Sequence, residues 1–518
     1  MSFALLSVFL IPTLSIPIVY FAGKKSAKLA AAIIAIIAII SMALILSTVP
    51  AVLSNPDHRY IESYEWIGLV NAEFSLFTDG ISVSLSVISL VLILVAALFS
   101  VNYMSGRKNL PVYYALLCML PIGLVGVFLT SNLLLFYFCW ELMLVPAYFI
   151  LGEWGYRNSY KAALKFFIFT HAGAVFVLLG IGATYVLTNS TDMFTAQALL
   201  ISSGSSEIAK WIIVALTAGF AVKMAVVPVH MWLPDAHSEA PATLSALLSG
   251  VIISAGAYAI LRLSLGMVFP AIADVAFRVN FLHGLTILGL ISAFFGSLLA
   301  LVETDIKRLI AYSSIAHMGY IMFGLSLFPA STALGTTVLL SSAVAITGTV
   351  LHIVTHAASK GLFFLTAGGV MHQTEDRDIR KMGGLAGKMP FSAVSGAIAA
   401  LSIGGTPPFA CFISEFLIFV GAVQIMQVDS FYVIPTVLML VATVISLAYS
   451  LRFISKVFLG QSKEEQGTEP ALEGEHKHKL IEVPNYMKVA MAILIVLVIL
   501  IGVYPVFFMN LIQTVTMG

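Results

Sequence analysis

The sequence predicts an all-α polytopic membrane protein, and two observations carry that prediction. Of the 518 residues, 60% are hydrophobic and only 10% are charged, with a mean hydropathy of +1.02. A soluble domain carries about 25% charged residues, so this chain has too few charges to cover a surface in water. Apolar runs of about 20 residues, the length that crosses a bilayer core of about 30 Å, also recur along the whole chain.

Fourteen such runs predict fourteen transmembrane helices, numbered here as spans 1 to 14. The first run does not read as a removable signal peptide, because it has no basic flank or small-residue cleavage site and another span follows at once. The runs lie at about residues 2–22, 28–53, 80–104, 112–129, 131–151, 161–187, 208–231, 242–267, 281–302, 307–327, 334–369, 390–424, 430–458 and 486–509.

The lysines and arginines between these runs predict the orientation of the chain. Loops after odd-numbered spans hold nineteen of them, whereas loops after even-numbered spans hold only Arg59, Lys210, Arg262 and Arg278. Because basic residues accumulate in cytoplasmic loops, the odd loops are expected in the cytoplasm and both termini outside the plasma membrane. The hydrophilic residues 460–484 are expected to form a cytoplasmic loop.

Several classes of function are excluded by composition and motifs. A net charge of +1 excludes binding of a polyanion through bulk charge. Cys118, Cys139 and Cys411 are too few and too far apart for a disulfide scaffold, a four-cysteine zinc site or an iron–sulfur cluster. No Walker A, zinc-protease or dinucleotide-binding motif is present in the sequence.

A few titratable residues lie inside the apolar runs, where each charge costs about 2.5–3.5 kcal/mol on insertion scales. Two buried salt bridges between helices would be one explanation, but such pairs are often no better than apolar packing. The other explanation is a hydrated path along which titratable groups pass a proton or an ion. Lys165, near a helix end, is expected to extend to the cytoplasmic surface. The residues inside the runs are Glu141, Lys223, Lys360, Glu415, His171, His230, His317, His352 and His356.

Two of the predicted spans contain helix-breaking sequence. In span 7, Lys223 is followed by Pro228, Pro234 and Pro241, and in span 12 Glu415 follows the Gly-Gly-Thr-Pro-Pro stretch at 404–408. Proline removes a backbone donor and clashes with the preceding turn. A broken membrane helix is tolerated where it is buried in protein or lines a watery cavity.

Interrupted spans in corresponding positions are typical of inverted-repeat transporters. Spans 4–8 and 9–13 are therefore expected to form two inverted five-helix repeats, each with one broken helix. The predicted divisions are residues 1–110 with spans 1–3, 111–268 and 280–459 with the repeats, the loop 460–484, and 485–518 with span 14.

The histidines of span 11 are expected to carry the second half of the path. His352, His356 and Lys360 are spaced four apart, which puts them on one helix face. Histidine titrates near neutral pH, and His317 lies about 15 Å into its own span. His171 has no such companions and is expected to be structural. His352 and His356 have the spacing of metal ligands, but no carboxylate lies near them in sequence, so no metal site is expected.

These residues resemble the antiporter-like subunits of respiratory complex I, especially the middle one. They are also similar to the large subunits of multisubunit sodium/proton antiporters and of energy-converting membrane-bound hydrogenases. The resemblance covers nearly the whole chain. It is most specific at Trp140-Glu141 with Pro146, at 223–241, at 303–319 and at 404–415.

The resemblance implies a fourteen-helix fold with two inverted repeats and a role for individual residues. It pairs Glu141 with Lys223, makes the span 11 residues a bridge, and makes Glu415 the terminal exit group. The family usually has a lysine in span 8, where this chain has Ser254. The link across that position is expected to need ordered water or His230.

The predicted function is that of a proton- or sodium-translocating subunit of a redox-driven assembly such as a membrane-bound hydrogenase. No cofactor, metal or redox centre of its own is expected. The expected partners are other membrane subunits, including further antiporter-like ones, and peripheral redox subunits. A subunit of a stand-alone multisubunit sodium/proton antiporter is the alternative, and a structural scaffold with an inactive ion path is a third possibility, suggested only by Ser254.

Overall fold

The computed structural model of the chain describes residues 3–330, 336–460 and 480–516. Over these residues the chain is mostly helical, and twelve helices are long and apolar enough to cross a membrane. This confirms a polytopic helical membrane protein. The predicted loop 460–484 lies largely outside the described residues, since 461–479 are not among them.

The N-terminal part has one feature that the all-α prediction missed. An antiparallel hairpin joins the second and third spans, with Tyr60 opposite Thr78. Its aromatic and β-branched residues alternate with polar ones, which favours strands. The elements are α1 (Ala4–Lys25), α2 (Ala27–Ser47), α3 (Val49–Ser54), β1 (Tyr60–Ile67), β2 (Ala72–Thr78), α4 (Gly80–Tyr103) and α5 (Leu110–Leu129).

The hairpin is tied to the start of α1 by a buried carboxylate. Glu62 of β1 accepts hydrogen bonds from the backbone nitrogens of Leu5 and Leu6, at 3.2 and 3.1 Å. These nitrogens have no partner inside the helix, and a carboxylate also complements the positive end of the helix dipole. The hairpin therefore lies at the same end of the bundle as the start of α1.

The next part of the chain contains an interrupted helix and an irregular one. Helix α10 ends at Met224, where Ala225 takes a left-handed conformation with φ of +57°. Two π-helical segments, Leu248–Ile252 and Ile260–Val268, widen span 8. The helices are α6 (Leu133–Leu142), α7 (Leu144–Trp154), α8 (Ser159–Thr188), α9 (Met193–Ser202), α10 (Ser206–Met224), α11 (Leu233–Glu239), α12 (Ala242–Leu247) and α13 (Ser254–Ala259).

The second half is built around one long helix, α16, which packs against α4, α15, α18, α19 and the C-terminal helices. A second interruption separates α18 from α19. The helices are α14 (Val275–Val302), α15 (Ile306–Ser326), α16 (Thr336–Thr374), α17 (Leu385–Lys388), α18 (Pro390–Ile403), α19 (Ala410–Ile425), α20 (Val433–Val457), α21 (Asn485–Val503) and α22 (Val506–Thr516).

Candidate functional site

Lys223 lies in the last turn of α10, and its side chain is buried among aromatic rings. Its Nζ is 4.7 Å from the centroid of the Trp140 ring and donates a hydrogen bond of 3.4 Å to the Trp140 carbonyl. The Trp140 ring packs against Phe136 and Phe220, which hold it in place. A cation over an aromatic face gains about 2 kcal/mol when desolvated, so the ring is a stabilising partner for the ammonium.

Glu141 forms its ion pair with His171 and not with Lys223. Its Oε2 lies 3.0 Å from His171 Nδ1, and no ion pair joins Lys223 to an acid among the residues that the structure describes. A direct ion pair of Glu141 with Lys223 is thus not formed in the described structure, although the Glu141 carboxylate lies within electrostatic range of the Lys223 ammonium. His171, expected to be structural, gains a partner from a helix that is 30 residues away in sequence.

The Glu141–His171 pair faces the outside of the chain. The side chain of His171 is 50% exposed and that of Glu141 is 24% exposed. His171 lies 12 residues into α8, which is about 18 Å along the helix. A titratable pair is therefore exposed at mid-membrane depth.

The stretch after the first interruption meets charges from two other segments. Lys165 Nζ lies 2.7 Å from Asp235 Oδ2, and the Lys165 side chain is 33% exposed. Lys165 therefore has an ion-pair partner that its sequence position did not predict. Asp235 Oδ1 also accepts from Arg308, at 3.0 Å. His230 is half-buried against the ring of Phe295, with the centroids 4.7 Å apart, and joins none of these charges.

His237 and Lys307 are two buried polar residues that were not predicted as site residues. His237 in α11 stacks on Phe364, and neither ring nitrogen has a hydrogen-bond partner in the described residues. Lys307, assigned to a loop by the sequence, is fully buried and donates to the Ala240 carbonyl. Lys307 and Lys360 both lie within electrostatic range of His237.

Among the described residues, the Ser254 side chain makes no hydrogen bond to the other candidate residues. Its hydroxyl donates to the carbonyl of Gly250, one turn earlier in the same helix, at 2.9 Å. The side-chain hydrogen bond from this helix to α15 comes instead from Ser249, whose Oγ is 2.8 Å from that of Ser314. The Ser254 hydroxyl thus forms its hydrogen bond within its own helix.

Lys360 is buried in the middle of α16 and is held by neutral groups. Its Nζ donates to Ser313 Oγ and, at 3.2 Å, to the Ile310 carbonyl. Like Lys223, it has no acidic partner among the described residues. Two buried salt bridges therefore do not explain the two lysines.

Three imidazoles from α15 and α16 meet next to this amine. His317 Nδ1 is 3.1 Å from His352 Nε2, and the outer nitrogens of the pair contact hydroxyls. His352 Nδ1 is 2.8 Å from Ser414 Oγ, and His317 Nε2 is 3.4 Å from the Tyr449 hydroxyl. The ring centroid of His356 lies 5.5 Å from that of His317, and both His356 nitrogens lack a partner in the described part of the chain.

Glu415 completes this cluster from α19. Its Oε1 lies 3.9 Å from His317 Nδ1 and accepts no hydrogen bond from the described residues, although the side chain is 92% buried. Gly405 in the second interruption has φ of +66°, and a Cβ there would lie 2.4 Å from Glu415 Oε2. A side chain at this position would require the Glu415 carboxylate to move.

A cavity of 340 Å³ leads from Glu415 to the surface of the chain. It is lined by the 404–407 interruption, by exposed Phe416 and by α20, including Val444. The Glu415 carboxylate is therefore reachable from outside the helix bundle.

A larger polar cavity, of 880 Å³, lies at the end of the bundle that carries the odd loops. Arg107, Arg157 and Arg377 are among the side chains on its wall. Tyr103 and Tyr156 also line it, with their hydroxyl oxygens 2.6 Å apart. The Tyr156 ring, on the wall of this cavity, lies 5.2 Å from the Nζ of the buried Lys307.

The predicted site residues thus fall into two clusters and two separate positions. Glu141 and Lys223 lie near Trp140, and His317, His352, His356, Lys360 and Glu415 lie together in the second half. His230 and Ser254 join neither cluster. Among the described residues, no hydrogen bond connects the two clusters.

Comparison with known proteins relates the chain to subunits of respiratory complexes. Residues 130–446 match the family described as NADH:quinone oxidoreductase/Mrp antiporter, TM. NADH-quinone oxidoreductase subunit M of Pseudomonas aeruginosa is 36% identical over 453 residues, covering 85% of this chain and 81% of the relative. The subunit M of Escherichia coli K12 is 32% identical over 448 residues, with the same coverage.

Solved structures show the same fold. A chain of the membrane-bound sulfane sulfur reductase, an archaeal respiratory membrane complex, has a TM-score of 0.81 at 28% identity, covering 97% of this chain and 76% of that one. A chain of Thermus thermophilus respiratory complex I gives 0.80 at 21% identity, with 99% of both chains covered. A chain of the Mrp complex from Dietzia gives 0.81 at 20%, covering 98% and 96%.

Proposed function

The chain belongs to the NADH:quinone oxidoreductase/Mrp antiporter family of membrane proteins, and from this premise we propose that it translocates protons or sodium ions through the two buried clusters. It is an antiporter-like, multi-pass membrane subunit of the kind found in complex I-type assemblies. Its homologues work beside other membrane subunits and peripheral subunits. The residues that carry the ion and the force that drives it are part of this proposal.

The observation that carries the proposal is the cluster of His317, His352, His356, Lys360 and Glu415. Burying five titratable groups costs free energy, and Glu415 Oε1 and both His356 nitrogens have no hydrogen-bond partner among the described residues. Imidazole can donate and accept in turn, so the contact of 3.1 Å between two rings allows a proton to pass. In this proposal Glu415 releases the ion through the 340 Å³ cavity.

In the same proposal, the ion enters the chain from the 880 Å³ polar cavity. Tyr103 and Tyr156 stand at its wall, Lys307 lies behind Tyr156, and His237 lies within electrostatic range of both Lys307 and Lys360. The basic residues of the odd loops surround this cavity, which supports a cytoplasmic location through the positive-inside rule. The ion then crosses from the cytoplasmic to the external side.

In this proposal, a neighbouring subunit drives transport by acting on Glu141. The Glu141–His171 pair is exposed to a neighbour at mid-membrane depth, and an adjacent subunit that attracts either group changes the field at Lys223. A unit charge at 4 Å is worth roughly 4 kcal/mol at an effective dielectric of 20. That is enough to change the proton affinity of a buried amine by several powers of ten.

The transmembrane arrangement in this proposal is fourteen spans in two inverted repeats, 111–268 and 280–459, with both termini outside. Twelve helices are long enough to cross alone, and the two interrupted helices account for spans 7 and 12. The tie between the hairpin and the start of α1 supports a common side for the N terminus and the first even loop.

A redox-driven parent assembly is favoured over a stand-alone antiporter. The chain is 36% identical to a subunit of an NADH-quinone oxidoreductase and 28% identical to a subunit of the sulfane sulfur reductase. Its identity to the Mrp subunit is 20%, which supports a shared fold and no more. A membrane-bound hydrogenase remains one form that such an assembly takes.

The proposal is tested by coupled ion transport in vesicles that contain the assembled complex. Lys223→Ala and Glu141→Ala are expected to reduce transport about 100-fold, the order of one positioned proton-transfer group. Lys108→Ala and Glu153→Ala, which change exposed residues, are expected to leave it unchanged. Unchanged transport in Lys223→Ala would overturn the proposal in favour of a scaffold.

A further inference from the structure

The buried cluster of the second half also has the donor set of a metal site. His317, His352 and Glu415 each offer one ligand atom, and these three atoms lie within 4.8 Å of one another. In sequence the histidines have no nearby carboxylate, but α19 supplies one in space. We propose that these three residues form a binding site for a divalent transition-metal ion of the zinc class.

The distances fit such an ion after small side-chain movements. Ligands at about 2.0–2.1 Å from a tetrahedral zinc are about 3.3 Å from one another. The two imidazole nitrogens are 3.1 Å apart, and Glu415 Oε1 is 3.9 Å from the nearer one. The carboxylate oxygen accepts no hydrogen bond from the described residues, so its rotation toward the nitrogens breaks no existing bond.

The hydroxyls around the pair prepare the rings for coordination. Ser414 Oγ lies 2.9 Å from the Cys411 carbonyl, to which it can only donate. A hydroxyl has one proton, so when Ser414 donates it to this carbonyl, Ser414 accepts from His352 Nδ1. This leaves a lone pair on His352 Nε2, the atom that faces His317. Metal binding then requires the proton of His317 Nδ1 to move to Nε2, beside the Tyr449 hydroxyl. Outer hydrogen bonds of this kind fix the tautomer of metal-ligating histidines.

A further nitrogen donor lies near the three ligands, with its ring centroid 5.5 Å from that of His317, and an entry route is present. His356 is fully buried one turn from His352, and its two nitrogens lack partners in the described residues. An ion reaches the site through the cavity of 340 Å³ that Glu415 lines. Nitrogen and carboxylate donors suit zinc, whereas Mg²⁺ and Ca²⁺ prefer oxygen ligands alone.

The bound ion occupies the lone pairs that the proposed proton path uses. Zinc is therefore expected to block ion transport, an expectation that rests on the proposed function. Metal binding itself does not depend on transport, because it is measured on the resting complex.

The test is zinc binding to the purified, assembled complex after loosely held metal is removed with a weak chelator. The expected result is one tightly held zinc per chain, with X-ray absorption showing nitrogen and oxygen ligands at about 2.0–2.1 Å. His352→Gln is expected to abolish this binding, and the control His58→Asn, which changes an external histidine, to leave it intact. Equal zinc retention in His352→Gln and the unaltered complex would overturn the site.

Two milder variants keep the test decisive if His352→Gln fails to assemble. Ser414→Ala removes only the outer hydrogen bond and is expected to weaken zinc binding about 10–100-fold. Lys360→Met removes a nearby cation and is expected to tighten it. Zinc affinity that responds to neither variant would overturn the proposal, even if Lys223→Ala abolishes transport. Affinity that follows both variants supports the site, even if zinc leaves transport unchanged and the translocation role fails.

Discussion

Lys223 in the membrane interior contacts an aromatic ring and a carbonyl, and among the described residues no carboxylate lies within ion-pair distance of its ammonium. Its ammonium lies over the Trp140 ring while the neighbouring Glu141 turns to His171. Lys360 likewise contacts a hydroxyl and a carbonyl. A neutral partner leaves a buried amine able to gain or lose its proton, whereas a tight ion pair would hold the charge in place. The neutral partners of Lys223 and Lys360 thus keep both amines able to take part in the proposed proton transfer.

Ser254 and Ser249 differ in where their hydroxyl groups form hydrogen bonds, and substitution of each is expected to have a different effect. Since the Ser254 hydroxyl is bonded within its own helix, Ser254→Ala is expected to leave coupled transport unchanged. Ser249 bonds across to Ser314, so Ser249→Ala is expected to reduce the free energy of unfolding by about 1 kcal/mol. Transport assays and thermal unfolding of the assembled complex check both outcomes. A loss of transport in Ser254→Ala would show that this hydroxyl belongs to the ion path.

The interrupted helices are the elements that bring the clusters together. The first interruption leaves Lys223 at a helix end, and the second sets Glu415 one turn and a half into α19 beside an open cavity. Backbone that leaves helical geometry inside a membrane needs protein or water around it. In this chain the interruptions lie next to buried charges, which need the same surroundings.

Gly405 is the position at which the second interruption is most sensitive. Gly405→Ala would place a Cβ against the Glu415 carboxylate and force a left-handed conformation that costs about 1–2 kcal/mol. We expect lower thermal stability and loss of coupled transport. The control is Gly387→Ala, at an exposed position with no atom within 4 Å of the added carbon. If both variants transport alike, Glu415 does not need this space.

At the scale of the whole molecule, a set of ion pairs joins the two halves at the large polar cavity. Arg377, in the loop after α16, pairs with Asp305 at 2.7 Å and with Glu239 at 3.2 Å. The same loop is bonded through its backbone to the start of α15, where Ile306 N donates to the Arg377 carbonyl. Arg377 therefore connects α11 of the first half to α15 and α16 of the second.

Arg377→Ala is expected to lower the free energy of unfolding by about 1.5–3 kcal/mol, as for hydrogen bonds to charged groups. Arg380→Ala is the control, because in the described part of the chain the Arg380 side chain pairs with Asp378, two residues away. The Arg380 guanidinium lowers the pKa of Asp378 to about 2. Its contribution is thus present at neutral pH and is lost only as the pH falls from about 4 toward 2. Denaturation of the complex at neutral pH that affects both variants equally would contradict the role of Arg377.

The sequence predicted the features that depend on local spacing. Prolines after Lys223 and glycines before Glu415 predicted where helices end, and the four-residue spacing predicted one face for His352, His356 and Lys360. Features that depend on packing between distant segments were missed. His171 meets Glu141 from another helix, and Lys307 is buried by segments far away in sequence. The β-hairpin was missed because its strands are short and contain polar residues, so they form no long apolar run.

The central claim, that the buried cluster of the second half carries the ion, is tested most directly through Lys360. Coupled ion transport is measured in vesicles with the assembled complex carrying Lys360→Met, which keeps the length and apolar stem of the side chain. The account predicts transport reduced about 100-fold with subunit composition unchanged. Transport at the unaltered rate in a fully assembled Lys360→Met complex would contradict it.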